Sequence, residues 1–374
     1  MHVVEICNER GKMTDEEGDS SSVEEQPMYL TNFLKLFDGE ARPKHVAIFT
    51  HACPDPDAIA SIMAMEWLIN KIAPQCEVTA FYDGVISHPQ NVAMVNLLDP
   101  NLRPVVDYDP LNFDFKIVVD TVPVNAGVAK NKVDFDLVID HHKEIPNGGF
   151  NGVFINVKAG SCCATIYHLI KKLKLKFHDD NDLDSKVATA IMVGISTDTE
   201  NLMSEDCTNY EFEAWSDLFE LRDGAALKKI VNFERPKFWI EAKASAVADA
   251  VVTDGLGIVG LGNIPGRHRD MIADMADNMV SWEDVNTAVA FAIVDGDRIE
   301  GCVRSRNASV MVPQLCKELA GKHGLGGGKL GKGAYRYSLG GTAFDDEDDE
   351  ETRNETWKLL NTKENKRILR VVRK

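Results

Sequence analysis

From residue 44 onward, short unbroken apolar runs alternate with stretches of helical periodicity: HVAIFT, IASIMAMEWLINKI, EVTAFY, VAMVNLL, FKIVVD, FDLVID. Strands that stay apolar on both sides are buried on both faces, which implies a parallel sheet covered by helices. Open sheets of this kind bind ligands beyond the C-terminal ends of their strands. After residue 180 the chain reads as helical, through DSKVATAIMVGISTDT, YEFEAWSDLFELRDG and ERPKFWIEAKASAVADA. A second strand series starts at GLGIVGL and continues through NTAVAFAIVDGDRIEGCVRS, where Asp295-Gly296 signals a hairpin turn.

A chain of 374 residues exceeds what one core usually supports, so two or three domains are expected. The pattern divides it into an acidic extension (1–40), an α/β parallel-sheet domain (41–230), a helical linker (231–250), a smaller α/β domain (251–344) and a charged tail (345–374). The net charge of −18 argues against a generic grip on long nucleic acid, which needs many Lys and Arg. Part of that charge is local. TDEEGDSSSVEE near residue 14 and FDDEDDEE near residue 344 read as solvated or disordered segments. Eight cysteines without a C-x-x-C pair suggest reduced thiols and a cytoplasmic location. No apolar run approaches the ~20 residues needed to cross a bilayer, and the N-terminus does not read as a secretory leader.

The candidate chemistry sits where strands end. VAIFT runs into His51-Ala-Cys-Pro-Asp55-Pro-Asp57, FKIVV ends in Asp120, FDLVI ends in Asp140-His141-His142, and a helical segment ends in ISTD at Asp198. Each has a bland reading. Asp57 alone caps the helix beside it, His51 alone is a loop or core histidine, and Asp120 alone is a strand-end turn. Together they bring Asp and His to one sheet edge from four elements. Clustered carboxylates repel one another unless cations sit between them. Oxygen and imidazole ligands suit Mn²⁺ or Mg²⁺. Two such ions ~3.5–4 Å apart can supply the nucleophile and stabilise the leaving oxygen of a phosphoester. A thiolate from Cys53, Cys162 or Cys163 would favour Zn²⁺. Without supporting spacing, these read as packing residues.

THACPDPDAIAS, VVDT, VIDHHKE and GISTDT, in this order, resemble the motifs of the DHH phosphoesterases. The resemblance implies a catalytic DHH domain over 41–230, with the active site in the cleft facing the second domain. It implies two divalent ions, Mn²⁺ foremost, with Mg²⁺ or Co²⁺ as alternatives. His51 and Asp55 would hold the first ion, Asp57, His141 and Asp198 the second, and Asp120 would bridge. His142 would reach the scissile phosphate, and Asp140 would orient the histidines.

GLGGGKLGKGAY raises a separate question, because from Gly326 it spells G-x-x-x-x-G-K. A phosphate-binding P-loop needs Ser or Thr next and must connect a strand to a helix. Here Gly333 follows, and the run passes from a helical stretch into YRYSL. The ATP reading fails. Glycine-rich loops can bring backbone N–H groups close to an anion, and the run resembles the substrate-binding loop of the DHH-associated C-terminal domain. That resemblance makes Arg304, Arg306, His323, Gly326, Gly327, Gly328 and Lys329 candidate substrate contacts. Lys329 stands where the family pattern has His. The other reading is that the glycines merely turn the chain.

The sequence therefore points to a Mn²⁺-dependent phosphodiesterase or phosphatase acting on short oligonucleotides, 3′-phosphoadenosine 5′-phosphate, or linear and cyclic dinucleotides, in the nanoRNase-like branch. The expected partner is that substrate, with no membrane and no long duplex nucleic acid; a homodimer is the assembly left open. A RecJ-like single-strand exonuclease and a non-catalytic nucleotide sensor are the alternatives.

Overall fold

A computed structural model of the protein describes residues 2–6, 28–39, 42–126, 128, 133–142, 150, 152–344 and 348–373. The N-terminal acidic run and Lys143-Glu144 lie outside these residues. The chain divides into two compact units, Met1–Ile86 with Gln90–Phe233, and Ser87–Pro89 with Glu234–Lys374.

The first unit contains β1 (His2–Ile6), α1 (Met28–Lys35), β2 (His45–Phe49), α2 (Pro56–Ile72), β3 (Glu77–Tyr82), α3 (Pro89–Leu98) and β4 (Leu102–Pro104). It continues with β5 (Phe115–Val119), β6 (Leu137–Asp140), β7 (Val153–Val157), α4 (Cys162–Lys172), α5 (Asp182–Asp198), α6 (Asn209–Leu218) and α7 (Gly224–Val231). The strands form one parallel sheet in the order β1-β7-β6-β5-β2-β3-β4. Six of them come from the segment read as a parallel sheet. The seventh, β1, lies in the stretch read as an extension, where HVVEI is too short an apolar run to stand out among acids.

The unbroken apolar strands do what their pattern requires. Val46, Ile48, Ile117 and Ile139 enter one core with α2, α4 and α5, while Ala47, Phe49, Val118 and Val138 enter another on the opposite face. The chain winds outward from β2 to β3 and β4, then returns to β5 on the other side of β2. That reversal opens a crevice at the C-terminal ends of β2 and β5, the usual ligand position of such sheets.

The second unit contains α8 (Lys237–Ala248), β8 (Val251–Thr253), β9 (Leu256–Ile264), α9 (Met271–Met279), β10 (Thr287–Val294) and β11 (Arg298–Ser305). It ends with α10 (Val312–Ala320), β12 (Leu325–Lys329), β13 (Lys332–Ser338) and α11 (Glu350–Val372). Its mixed sheet has the order β12-β13-β11-β10-β9-β8, with only β9 and β10 parallel. Asp295 and Gly296 take φ of 52° and 77° in the β10–β11 turn, as the Asp-Gly signal requires. Helix α8 buries Trp239 in this unit's core with α9. Within the segment read as a charged tail, residues 350–372 form α11. Its buried Glu364 accepts from Tyr335 Oη at 3.0 Å and Tyr337 Oη at 2.6 Å, beside fully buried Ile368. Trp357, Leu360, Leu369 and Val372 pack with Ile368 against the core of this unit, among many charged residues that mask the apolar periodicity. Among the described residues no helix is long and apolar enough to cross a membrane.

Candidate metal centre

The C-terminal ends of the neighbouring strands β2, β5 and β6 meet at the crevice. His51 lies just past β2 and bridges Ala126 through its backbone. Asp55 is the N-cap of α2, accepting from the Ala58 amide at 3.0 Å, and Pro56 supplies the pre-set φ of the first turn. The cap is therefore Asp55. Asp57 is turned inward and 1% exposed. Asp120 follows β5 with φ 57°, in the left-handed region. That conformation costs roughly 1 kcal/mol or more for a residue with a Cβ, though Asp tolerates it better than most. Asp140 closes β6 and Asp198 closes α5.

These side chains converge as three overlapping groups, one of them Asp120, Asp140, His141 and His142. Ligand-capable atoms of His51, Asp55 and Asp120 lie within 4.8 Å of one another, as do those of Asp57, His141 and Asp198. His51 Nε2 is 3.5 Å from Asp120 Oδ2 and 3.8 Å from Asp55 Oδ1. His141 Nε2 is 3.4 Å from Asp120 Oδ1, 3.4 Å from Asp198 Oδ2 and 3.8 Å from Asp57 Oδ2. Such separations suit two ligands around one small divalent cation with bonds of about 2.0–2.2 Å. Buried Asp120 Oδ1 and His141 Nε2 have no hydrogen-bond partner. Buried polar atoms are rarely left unpaired, so this donor set fits a cation.

The electrostatics agree. Burial pushes the Asp57 carboxyl well up, and the charges of Asp120 and Asp198 add to it. Burial alone would lower His141, yet Asp120, Asp57 and Asp198 push it up to about 10. Burial also opposes charge on His51, but Asp120 and Asp55 raise its pKa well above the usual histidine value. Asp120, against the penalty of burial, is held far below the carboxylate range by His141 and His51. The raised values of Asp57, His141 and His51 report a surplus of carboxylate charge at one point, and the lowered value of Asp120 reports the two histidines that face it.

Backbone groups hold the arrangement. His51 Nδ1 lies 3.0 Å from the Ala52 carbonyl and His141 Nδ1 3.1 Å from the Ala159 carbonyl. With both Nδ1 hydrogens so engaged, each Nε2 faces the carboxylates of the centre, where a cation would take the place of its proton. The first amides of α4, from Cys162 and Cys163, donate to Asp57 Oδ2 at 2.6 Å and Oδ1 at 2.9 Å. The two thiols point to carbonyls of Ile139 and Ile191, and burial drives both thiol pKa values up. Both are packing residues. Asp140 Oδ1 accepts from the His141 amide at 2.9 Å and from His142 Nδ1 at 2.8 Å. That second bond is the main reason the His142 pKa is raised. The His142 side chain remains half-exposed, with its ring fixed. These carbonyls and amides were invisible in the sequence; only the Ser161 N-cap marks where α4 begins.

In the second unit the glycine run is a strand, not a loop. Gly326, Gly327 and Gly328 pair with Tyr335, Ala334 and Gly333. A Cβ on Gly326 would lie 2.2 Å from the Cys316 carbonyl oxygen of α10. The absence of a side chain there lets the edge strand lie flat against the helix. Gly327 faces the other way, into open space. On that face the register builds three rows: Arg304, Lys332 and Lys329; Cys302, Ala334 and Gly327; Glu300, Arg336 and Leu325. The last two rows line a cavity of about 570 Å³ with Arg269. Arg304 differs from expectation: its fork is already taken by Asp277 of α9, at 2.5 and 3.1 Å. Arg306 and His323 are exposed and line no part of this cavity.

Residues 45–195 match the DHH family, N-terminal domain. An uncharacterized protein of Methanocaldococcus jannaschii is 29% identical over 304 residues, which is 80% of this chain and 59% of that protein. The chain thus spans well under two thirds of that relative's length. An exopolyphosphatase-related protein from Bacteroides fragilis shares the fold, with TM-score 0.62 at 15% identity, over 90% of this chain and 96% of that one. RecJ of Thermus thermophilus, solved in complex with Mn²⁺, gives TM-score 0.46 at 14% identity, over 91% of this chain and 55% of that one.

Proposed function

We propose, from the DHH-family domain that residues 45–195 form, that this protein is a two-metal phosphoesterase acting on short or small nucleotide substrates. The observation that carries the reading is the division of one carboxylate: Asp120 turns one oxygen to His51 and the other to His141. His51 and Asp55 would hold one ion, Asp57, His141 and Asp198 the other, and Asp120 both. Such ions, when bound, acidify water and withdraw charge from the phosphoester oxygens; Mn²⁺ suits the Asp/His donor set.

The chain's own residues would do the rest. His142, in the protonated form that its Nδ1 bond to Asp140 favours, would donate from Nε2–H to a phosphate oxygen from a fixed ring. Asp120 and Asp57, locked by backbone geometry and the α4 amides, would keep the ligand positions without rearrangement. In the second unit, the flat row Cys302–Ala334–Gly327 would accept a planar base, and Lys332 and Lys329 would lie beside its phosphate. A small trough of this kind favours a mononucleotide or a short oligonucleotide over a long strand, which needs a basic track with stacking aromatics. Lys329 would act there as a point charge in place of the family's histidine.

The test is hydrolysis with Mn²⁺ of RNA dimers to pentamers, 3′-phosphoadenosine 5′-phosphate, cyclic dinucleotides and 5′-labelled single-stranded DNA. Asp57→Ala and Asp198→Ala run beside the wild type. Cleavage of short substrates only, lost in both variants, supports the reading. Processive cleavage of the long strand would favour an exonuclease, and binding of Mn²⁺ without cleavage of any member would favour a sensor.

A further inference from the structure

The three residues grouped around His141 share one support. Ala159 offers its carbonyl to His141 Nδ1 at 3.1 Å. Ser161 starts α4, whose first amides grip Asp57. Between them, Gly160 fits so closely against the residue following Asp198 that a Cβ would lie 2.7 Å from Thr199 Cγ2. The segment Ala159–Gly160–Ser161 thus touches or abuts the supports of Asp57, His141 and Asp198. His51 and Asp55 are held separately, by the Ala52 carbonyl and the α2 cap.

What fixes the segment is Glu211. This carboxylate is fully buried, and its Oε1 accepts from the Gly160 amide at 2.9 Å. Its Oε2 accepts from the Thr208 amide and hydroxyl, both at 2.7 Å. The second set is a capping box at the start of α6, for which Gln serves as well as Glu. The bond to Gly160 goes beyond capping, and three donors aimed at two oxygens require a carboxylate. Burying that charge costs several kcal/mol before its hydrogen bonds offset it.

We infer that Glu211 is a positioning residue for one half of the metal centre, setting Asp57, His141 and Asp198 through Gly160 while leaving His51 and Asp55 untouched. The inference rests on the two-metal reading above. Partners one layer behind metal ligands typically change affinity roughly 10- to 100-fold when removed. A capping role alone would lower stability without selecting between ions.

Electron paramagnetic resonance titration of Mn²⁺ into the metal-free protein, with thermal unfolding as a control, separates these cases. In wild type two ions bind. In Glu211→Ala one binds with unchanged affinity and the other roughly 10- to 100-fold more weakly, and Glu211→Gln recovers part of the loss. In an Asp55→Ala background Glu211→Ala weakens the remaining ion; in an Asp198→Ala background it changes nothing further. Equal weakening of both ions, or of neither, overturns the role of Glu211 and leaves the two-metal reading standing. A wild type that binds fewer than two ions removes both. Should Glu211→Ala not fold, Glu211→Gln carries the same comparison, with selective weakening of one ion expected and equal or no weakening fatal.

Discussion

Asp120 sets Oδ2 3.5 Å from His51 Nε2 and Oδ1 3.4 Å from His141 Nε2, from a backbone held at φ 57°. One side chain thereby faces both ligand groups, in a conformation that favours glycine. Strain of this kind persists where surrounding structure enforces it and clusters at functional sites. Asp120→Asn keeps the shape but replaces one of the two oxygens by an amide that cannot ligate. Phosphoester hydrolysis should fall on the order of 1,000-fold, about 4 kcal/mol of barrier. Steady-state rates at saturating Mn²⁺ check this, and a loss below tenfold would count against a bridging role.

Metal addition should stabilise the first unit strongly. An ion at 100 times its Kd adds about 2.7 kcal/mol to a folded state that alone binds it. At roughly 2–4 °C per kcal/mol for a unit of this size, Mn²⁺ should raise Tm by several degrees, and a chelator should reverse the change. Calorimetry of wild type and Asp198→Ala, which should keep only part of the increase, tests the assignment.

Much of this centre was legible because its carriers end apolar runs. His51, Asp120 and Asp140 close β2, β5 and β6 or lie just past them, and a strand buried on both faces announces its own end. Asp198 was legible for the same reason at the end of α5. What holds them was not. The Ala159 carbonyl and the Cys162 and Cys163 amides are backbone groups, which every residue carries, so no letter marks them. The glycine run misled because glycine lacks the alternating side chains that betray a strand. Its fit against α10 depends on residues up to ten positions away. Arg304 looked available because its partner, Asp277, sits on another element.

Two neighbouring glycines should separate packing from binding. Gly326→Ala would drive a Cβ into the Cys316 carbonyl, a backbone that cannot swing aside. Overpacking of this kind costs about 1–3 kcal/mol, to be seen as a lower Tm. Gly327→Ala meets nothing within 4 Å and should leave Tm within a degree or so, while raising the floor of the trough. Titration with 3′-phosphoadenosine 5′-phosphate should show weaker binding in Gly327→Ala at unchanged stability. Equal affinities in wild type and Gly327→Ala would remove the trough as the base site.

His168 of α4 should impose an acid limit on the first unit. Its ring packs edge-on against Tyr210 of α6. Burial, with Lys172 nearby, lowers its pKa to about 4, while Glu213 opposes and Lys171 assists the shift. Unfolding releases the ring to an ordinary value near 6.5. Between those values the unfolded chain holds more protons, so stability falls as pH drops from about 6.5 towards 4 and levels off below. The ring is partly exposed, so after allowing for solvent screening the loss should be on the order of 1 kcal/mol. His168→Gln removes the titration, and its Tm should decline less than that of wild type between pH 7 and pH 4.5. Parallel declines in both proteins would assign the acid sensitivity to other groups.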